Sequence, residues 1–173
     1  MPNPATLDKL VLEHLPAALR FATRLTGDAD RGEDLVQESL LRVVRAWTTF
    51  RGEAAFRTWF FRIVINVFRD RLDKWPAEGL PIDENRAEFV DSTHAQPPEA
   101  AMAEELGRLI AKEVSLLPAR QREVLVLTAF EGLSASEVAD VAGISEGNVH
   151  STLSAARTRL KARLAPFLGS VNK

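Results

Sequence analysis

Between Leu133 and Leu164 the sequence writes out two helix starts separated by a single glycine, and few folds satisfy that pattern. Ser134 and Glu137 have capping-box spacing, with Leu133 and Val138 placed to staple the helix entry. Gly143 falls where a helix would end in a left-handed residue. Ser145 can then cap a second helix, with Ile144 and Val149 repeating the staple. Two short helices joined by a tight glycine turn form a helix-turn-helix, the geometry that presents one helix to a major groove of DNA.

Composition narrows the rest. The chain has 173 residues, enough for one medium domain or two small ones, and 46% hydrophobic with 27% charged residues is ordinary for a folded protein. It has no cysteine, which excludes disulfides, thiolate nucleophiles and cysteine-bound zinc and is compatible with a reducing cytoplasm, the expected location. His14, His94 and His150 lie far apart with no partner at metal-ligand spacing, so neither metal nor cofactor is expected. The N-terminus lacks a signal pattern, and no apolar run is long enough to span a bilayer.

The net charge of −2 hides a segregation. From Arg42 to Lys74 bases dominate, from Glu78 to Glu105 acids do, and after Glu146 no acid remains while Arg157, Arg159, Lys161 and Arg163 accumulate. Basic ends around an acidic middle suit two DNA-contacting modules joined by a linker; solvated helix faces are the plain alternative.

Periodicity predicts an all-α chain of two small helical modules. Leu7, Leu10, Val11, Leu15, Ala18, Phe21, Ala22 and Leu25 form one stripe that stops at Gly27. Asp30 and Glu33 have capping-box spacing for the next helix, whose stripe is Leu35, Val36, Leu40, Val43, Val44 and Trp47. A third helix, from about Ala55 to Lys74, carries Phe56, Trp59, Phe60, Ile63, Val64, Val67, Phe68 and Leu72 on its apolar side. The expected organisation is a first module over 1–74, a flexible acidic linker over 75–98 and a second module over 99–173. As a coil the linker would hold its ends roughly 25–30 Å apart, so the modules can separate or close up. The second module begins near Pro98 with Leu106, Leu109, Ile110, Val114 and Leu117, and Pro118 restarts a helix bearing Val124, Leu125, Leu127 and Phe130.

The third helix also carries a polar stripe of Arg62, Asn66, Arg69, Asp70 and Asp73, preceded by Phe50, Arg51 and Gly52 in a loop. Asparagine reads base edges well, and arginine reads phosphates. Phe56, Trp59, Phe60 and Phe68 read as core.

Residues 34–74, DLVQESLLRVVRAWTTFRGEAAFRTWFFRIVINVFRDRLDK, resemble region 2 of the extracytoplasmic-function sigma factors of bacterial RNA polymerase, FRGEAAFRTW and Asn66 above all. LPARQREVLVLTAFEGLSASEVADVAGIS resembles region 4 of the same family. The resemblance implies a region 2 bundle of three to four helices, a region 4 helix-turn-helix and no catalytic chemistry. It implies that the Phe50–Phe56 loop with Arg51, Gly52, Arg62, Asn66, Arg69 and Asp70 opens and reads the promoter −10 element, holding an unstacked base. It implies that Asp34, Gln37, Glu38, Leu41, Arg42 and Arg45 dock on the clamp helices of the largest polymerase subunit, with a further contact at the flap. For the −35 element the implied contacts are Ser145, Asn148, His150, Ser151, Thr152, Ser154, Arg157 and Arg159, while Val149, Leu153, Ala156 and Leu160 point inward. Relatives often carry Lys or Arg where this chain has His150 and Thr152, which shifts the weight to Asn148, His150, Thr152 and the Arg157–Arg163 stretch. The implied partners are core polymerase, promoter DNA and an anti-sigma factor wedged between the modules.

The alternatives explain less. A stand-alone helix-turn-helix regulator accounts for the C-terminal third but not for FRGEAAFRTW or Asn66. An enzyme would need a phosphate loop or a nucleophile cluster that the sequence lacks. A helical interaction protein of DNA-binding ancestry remains open, because the recognition helix is weakly basic.

Overall fold

The computed structural model of the chain describes residues 4–52, 55–72, 74 and 97–168. Seven α-helices carry the described residues: α1 Pro4–Thr26, α2 Ala29–Ala46, α3 Phe56–Leu72, α4 Pro97–Ser115, α5 Ala119–Leu125, α6 Ala135–Ala142 and α7 Glu146–Leu168. A 3-10 turn, Trp47–Thr49, closes α2, and a π turn, Val126–Phe130, follows α5. No strand occurs among the described residues. The expected linker falls outside them, apart from Pro97 and Pro98, which open α4.

The first three helices pack on one another as their stripes require. Leu25, Leu35, Val43, Phe60, Val64 and Phe68 are fully buried, and Phe21 stacks on Phe61 at 4.6 Å. Gly32 lets α1 and α2 touch: a Cβ there would lie 2.7 Å from Thr23 Oγ1 and 2.9 Å from Thr23 Cα. In the second module Val124, Leu127, Val138, Val141, Val149 and Ala156 are buried.

Several expectations need correction. The cap of α2 is Asp28, whose carboxylate accepts from the Arg31 backbone N–H at 2.8 Å, not an Asp30–Glu33 box. The Thr26 hydroxyl donates to the Asp28 carbonyl at 2.8 Å, and this turn starts the helix earlier. Val44, read as core, is 63% exposed, because α1 and α3 cover only the opposite flank of α2. Leu106 is exposed while Val114 and Leu117 are buried, so α4 meets the body only through its C-terminal half. Phe130 is also exposed, its ring lying under the Arg24 guanidinium at 4.7 Å.

The two modules are not apart. α3 packs against α6, and α1 against α4, α5 and the π turn. Their buried apolar residues run together into one cluster, which includes Phe61 and Ile65, two residues outside the apolar stripe read from α3.

Candidate nucleic-acid interface

The loop before α3 starts from an aromatic anchor. Phe50 stacks on Trp47 at 5.4 Å, lies 5.0 Å from Trp59 and meets Phe56 edge-on at 5.8 Å. Half-buried Phe50 is therefore part of the packing, while Arg51 and Gly52 are exposed beyond it. Gly52 takes a φ of +72° with nothing near its missing Cβ, so the backbone is open there to close approach. Of the residues expected to be core, Phe56, Phe60 and Phe68 are buried and Trp59 is half-buried.

On the helix itself Arg62 and Asn66 are exposed, one turn apart. Arg69 is half-buried and turned to the second module. Its guanidinium forms a fork on Glu123, Nε to Oε1 at 3.1 Å and Nη2 to Oε2 at 2.7 Å, and donates to the Ala142 carbonyl at 2.9 Å. The α6–α7 turn faces the same stripe. Arg62, Asn66 and Arg69 line one wall of a cleft of about 540 Å³, and Ala139, Gly143 and Ser145 line the other. Asp70 is exposed and paired with Arg42 at 2.7 Å.

That pair ties α3 to α2. Arg42 also lies 3.5 Å from Glu38, which Arg71 approaches at 3.9 Å. Asp34, Gln37, Leu41 and Arg45 are exposed, and Glu38 and Arg42 half-buried. Leu41 and Val44 leave bare apolar surface among these charges, at 55% and 63% exposure. A mixed apolar and charged helix face suits another protein's helices.

The helix-turn-helix has the local structure its sequence dictates. Ser134 and Glu137 form a complete capping box, Gly143 ends α6 at φ 68°, and the Ser145 hydroxyl accepts from the Asn148 N–H at 3.2 Å. Val149, Leu153 and Ala156 are buried. Asn148, His150, Ser151, Ser154, Arg157 and Arg159 are exposed and Thr152 half-buried. Ser151 donates its hydroxyl proton to the Asn148 carbonyl at 3.2 Å. Ser145 lies in the cleft, so the start of α7 looks towards α3.

The ionic groups between the modules escaped the sequence reading. Buried Glu131 accepts from Arg24 at 3.2 Å and lies 3.5 Å from Arg57, which also donates to its backbone carbonyl. Buried Arg122 donates to the carbonyls of Leu25, at the end of α1, and Leu117. Burial lowers the Arg122 guanidinium to about 10 against the pull of Glu123, leaving it cationic at neutral pH. Burial raises the Glu131 carboxyl, opposed by Arg24, Arg57 and Arg20. The visible signal was a charged pair, Arg122–Glu123, heading the apolar run from Val124 to Leu127. Among the described residues no group of three His, Cys, Asp or Glu could hold a metal ion, and no helix is long and apolar enough to cross a membrane.

Residues 10–75 match the family Sigma-70 region 2, and residues 103–160 match Sigma-70, region 4. The RNA polymerase sigma-H factor of Pseudomonas aeruginosa is 32% identical over 169 residues, covering 93% of this chain and 87% of that protein. The ECF RNA polymerase sigma factor EcfG of Rhodopseudomonas palustris is 32% identical over 166 residues, covering 95% and 88%. Among solved structures, the sigma factor RpoE in complex with the anti-sigma factor NepR, from Bartonella quintana, superposes with a TM-score of 0.68 at 28% identity, covering 91% of this chain and 96% of that one. CnrH in complex with the cytosolic domain of CnrY gives 0.68 at 26% identity, covering 95% and 90%.

Proposed function

The chain belongs to the sigma-70 family, as a factor of the extracytoplasmic-function type, and from that premise we propose how its residues divide the work. It binds core RNA polymerase and directs initiation to particular promoters. A stand-alone helix-turn-helix regulator is not favoured, because it leaves the region 2 match unexplained.

In our reading region 2 spans 1–74 and region 4 spans 99–173. The exposed face of α2, with Gln37, Leu41 and Arg45 at its centre, docks on the polymerase clamp helices, and region 4 reaches the flap. Arg51, Gly52, Arg62, Asn66 and Arg69 meet the −10 element, with Phe50 fixing the loop, and Asp70 holds Arg42. Asn148, His150, Ser154, Arg157 and Arg159 on α7 meet duplex DNA at −35, with Ser145, Ser151 and Thr152 beside them. The protein contributes binding and strand opening, with no bond-making chemistry of its own, and works in the cytoplasm. An anti-sigma factor is proposed as its regulator, by likeness to the two complexes above.

The observation that carries this reading is the pairing on α3 of a buried aromatic side with Arg62 and Asn66 exposed one turn apart beside an open glycine loop. The test is reconstitution with core polymerase, transcription of genomic DNA in vitro and sequencing of the transcript starts. Discrete new starts sharing −35 and −10 elements are expected. Absence of polymerase binding, with tight binding to duplex DNA alone, would overturn the reading.

A further inference from the structure

One face of the molecule is asked to do two things. Arg69 stands in the stripe assigned above to the promoter, yet its guanidinium is engaged inside the chain through Nε and Nη2. Both oxygens of Glu123 face it, and the carbonyl that ends α6 takes a third contact. A carboxylate forked on a guanidinium has the geometry that a DNA phosphate would take on the same group.

Both acceptors also have a resident donor within region 4. Arg120 donates to the Ala142 carbonyl at 2.9 Å and lies 3.5 Å from Glu123 Oε2. Withdrawing Arg69 therefore leaves neither the buried carboxylate nor the carbonyl without a cation. A charged contact that leaves no orphan behind can open reversibly, whereas an uncompensated buried carboxylate would hold the modules shut.

We propose that Glu123 acts as an internal phosphate mimic, latching region 4 over the promoter-reading face of α3 through Arg69, with Arg120 as the stand-in partner that lets the latch release. Module closure and −10 contact then compete for one guanidinium. The competition rests on the reading of α3 as the promoter face; the latch itself does not.

The two region 4 residues should act in opposite directions. Glu123→Gln keeps the shape and removes the charge, and it favours the open arrangement. Arg120→Ala removes the stand-in at an exposed position, and it favours the closed one. The full chain has no cysteine, so spin labels can be placed on exposed positions in the two modules, at Glu13→Cys and Thr158→Cys. Pulsed electron–electron distance measurement then reads closure without DNA. A short separation is expected for the parent, longer separations for Glu123→Gln, and a narrower short peak for Arg120→Ala. In parallel, Glu123→Gln should bind a short fluorescent single strand of −10 sequence about tenfold more tightly, the scale of one charge-assisted hydrogen bond. Arg120→Ala should bind it more weakly. If both variants move the separation the same way, or Arg120→Ala opens the molecule, the latch is overturned. If separations shift as stated but strand affinity does not, the latch stands and the competition falls, together with the place of Arg69 on the promoter face.

Discussion

Asn66 and Gly32 show how differently single residues disclose their roles. Asn66 is exposed on α3 and polar within an aromatic helix, so its sequence position already marked it. Replacing it with alanine should reduce open-complex formation about 10- to 100-fold, the scale of 1–3 kcal/mol for a bidentate base contact. Polymerase binding in a pull-down should be unchanged, and normal promoter opening by Asn66→Ala would remove the assignment. Gly32 disclosed nothing, because its necessity comes from Thr23 on a neighbouring helix, 2.9 Å from where a Cβ would stand. Part of that contact is backbone and cannot rotate away. Gly32→Ala is expected to lose about 1–3 kcal/mol by overpacking, read as a lowered thermal midpoint. An unchanged midpoint would mean that α1 and α2 can slide apart at little cost.

At the scale of elements, local chemistry was the most legible part of the chain. The α6 start, the Gly143 stop and the α7 cap all depend on residues within four positions of one another, and the structure has all three. The α2 start is hidden from the sequence because the Asp30–Glu33 spacing fits a box as well as α6 does, while the Thr26 turn that selects Asp28 is not a spacing rule. The exposure of Val44 is hidden in the same way, because the stripe says which face is apolar, not how far a neighbour covers it. Ser134→Ala should cost about 1 kcal/mol through the lost cap. The Glu137 carboxyl is held below its ordinary value by hydrogen bonds from the Ser134 backbone N–H and hydroxyl. The contribution of the box is therefore present above the ordinary carboxylate value and lost as pH falls through the lowered one. Acid titration of helicity should show that limb weakened in Ser134→Ala. On α2, Leu41→Ala combined with Arg45→Glu should weaken capture of core polymerase, and full retention would move the docking surface elsewhere.

The arrangement of the whole molecule could not be read from the sequence. A linker of the length in question permits an open or a closed pair of modules, and the choice is made by groups distant along the chain. Arg24 and Arg57 meet Glu131 across 107 and 74 positions, and no periodicity links them. These contacts also give closure a pH dependence whose sign can be fixed. Glu131 is faced by Arg24 and Arg20 from α1 and by Arg57 from α3, all of which favour its charge, yet burial outweighs them and raises its carboxyl above the ordinary carboxylate value. When the modules part, water returns and that penalty goes. The closed arrangement therefore binds the proton more tightly. The contribution of Glu131 to closure is fully present below the ordinary value and is lost as pH rises through the raised one. Label separations between the modules should lengthen as pH rises through that window. Glu131→Gln should flatten this dependence and leave the molecule at least as closed at neutral pH. A Glu131→Gln protein that opens at neutral pH would mean that the ion pairs with Arg24 and Arg57 outweigh the burial of the charge, and that closure is held by attraction there rather than in spite of it.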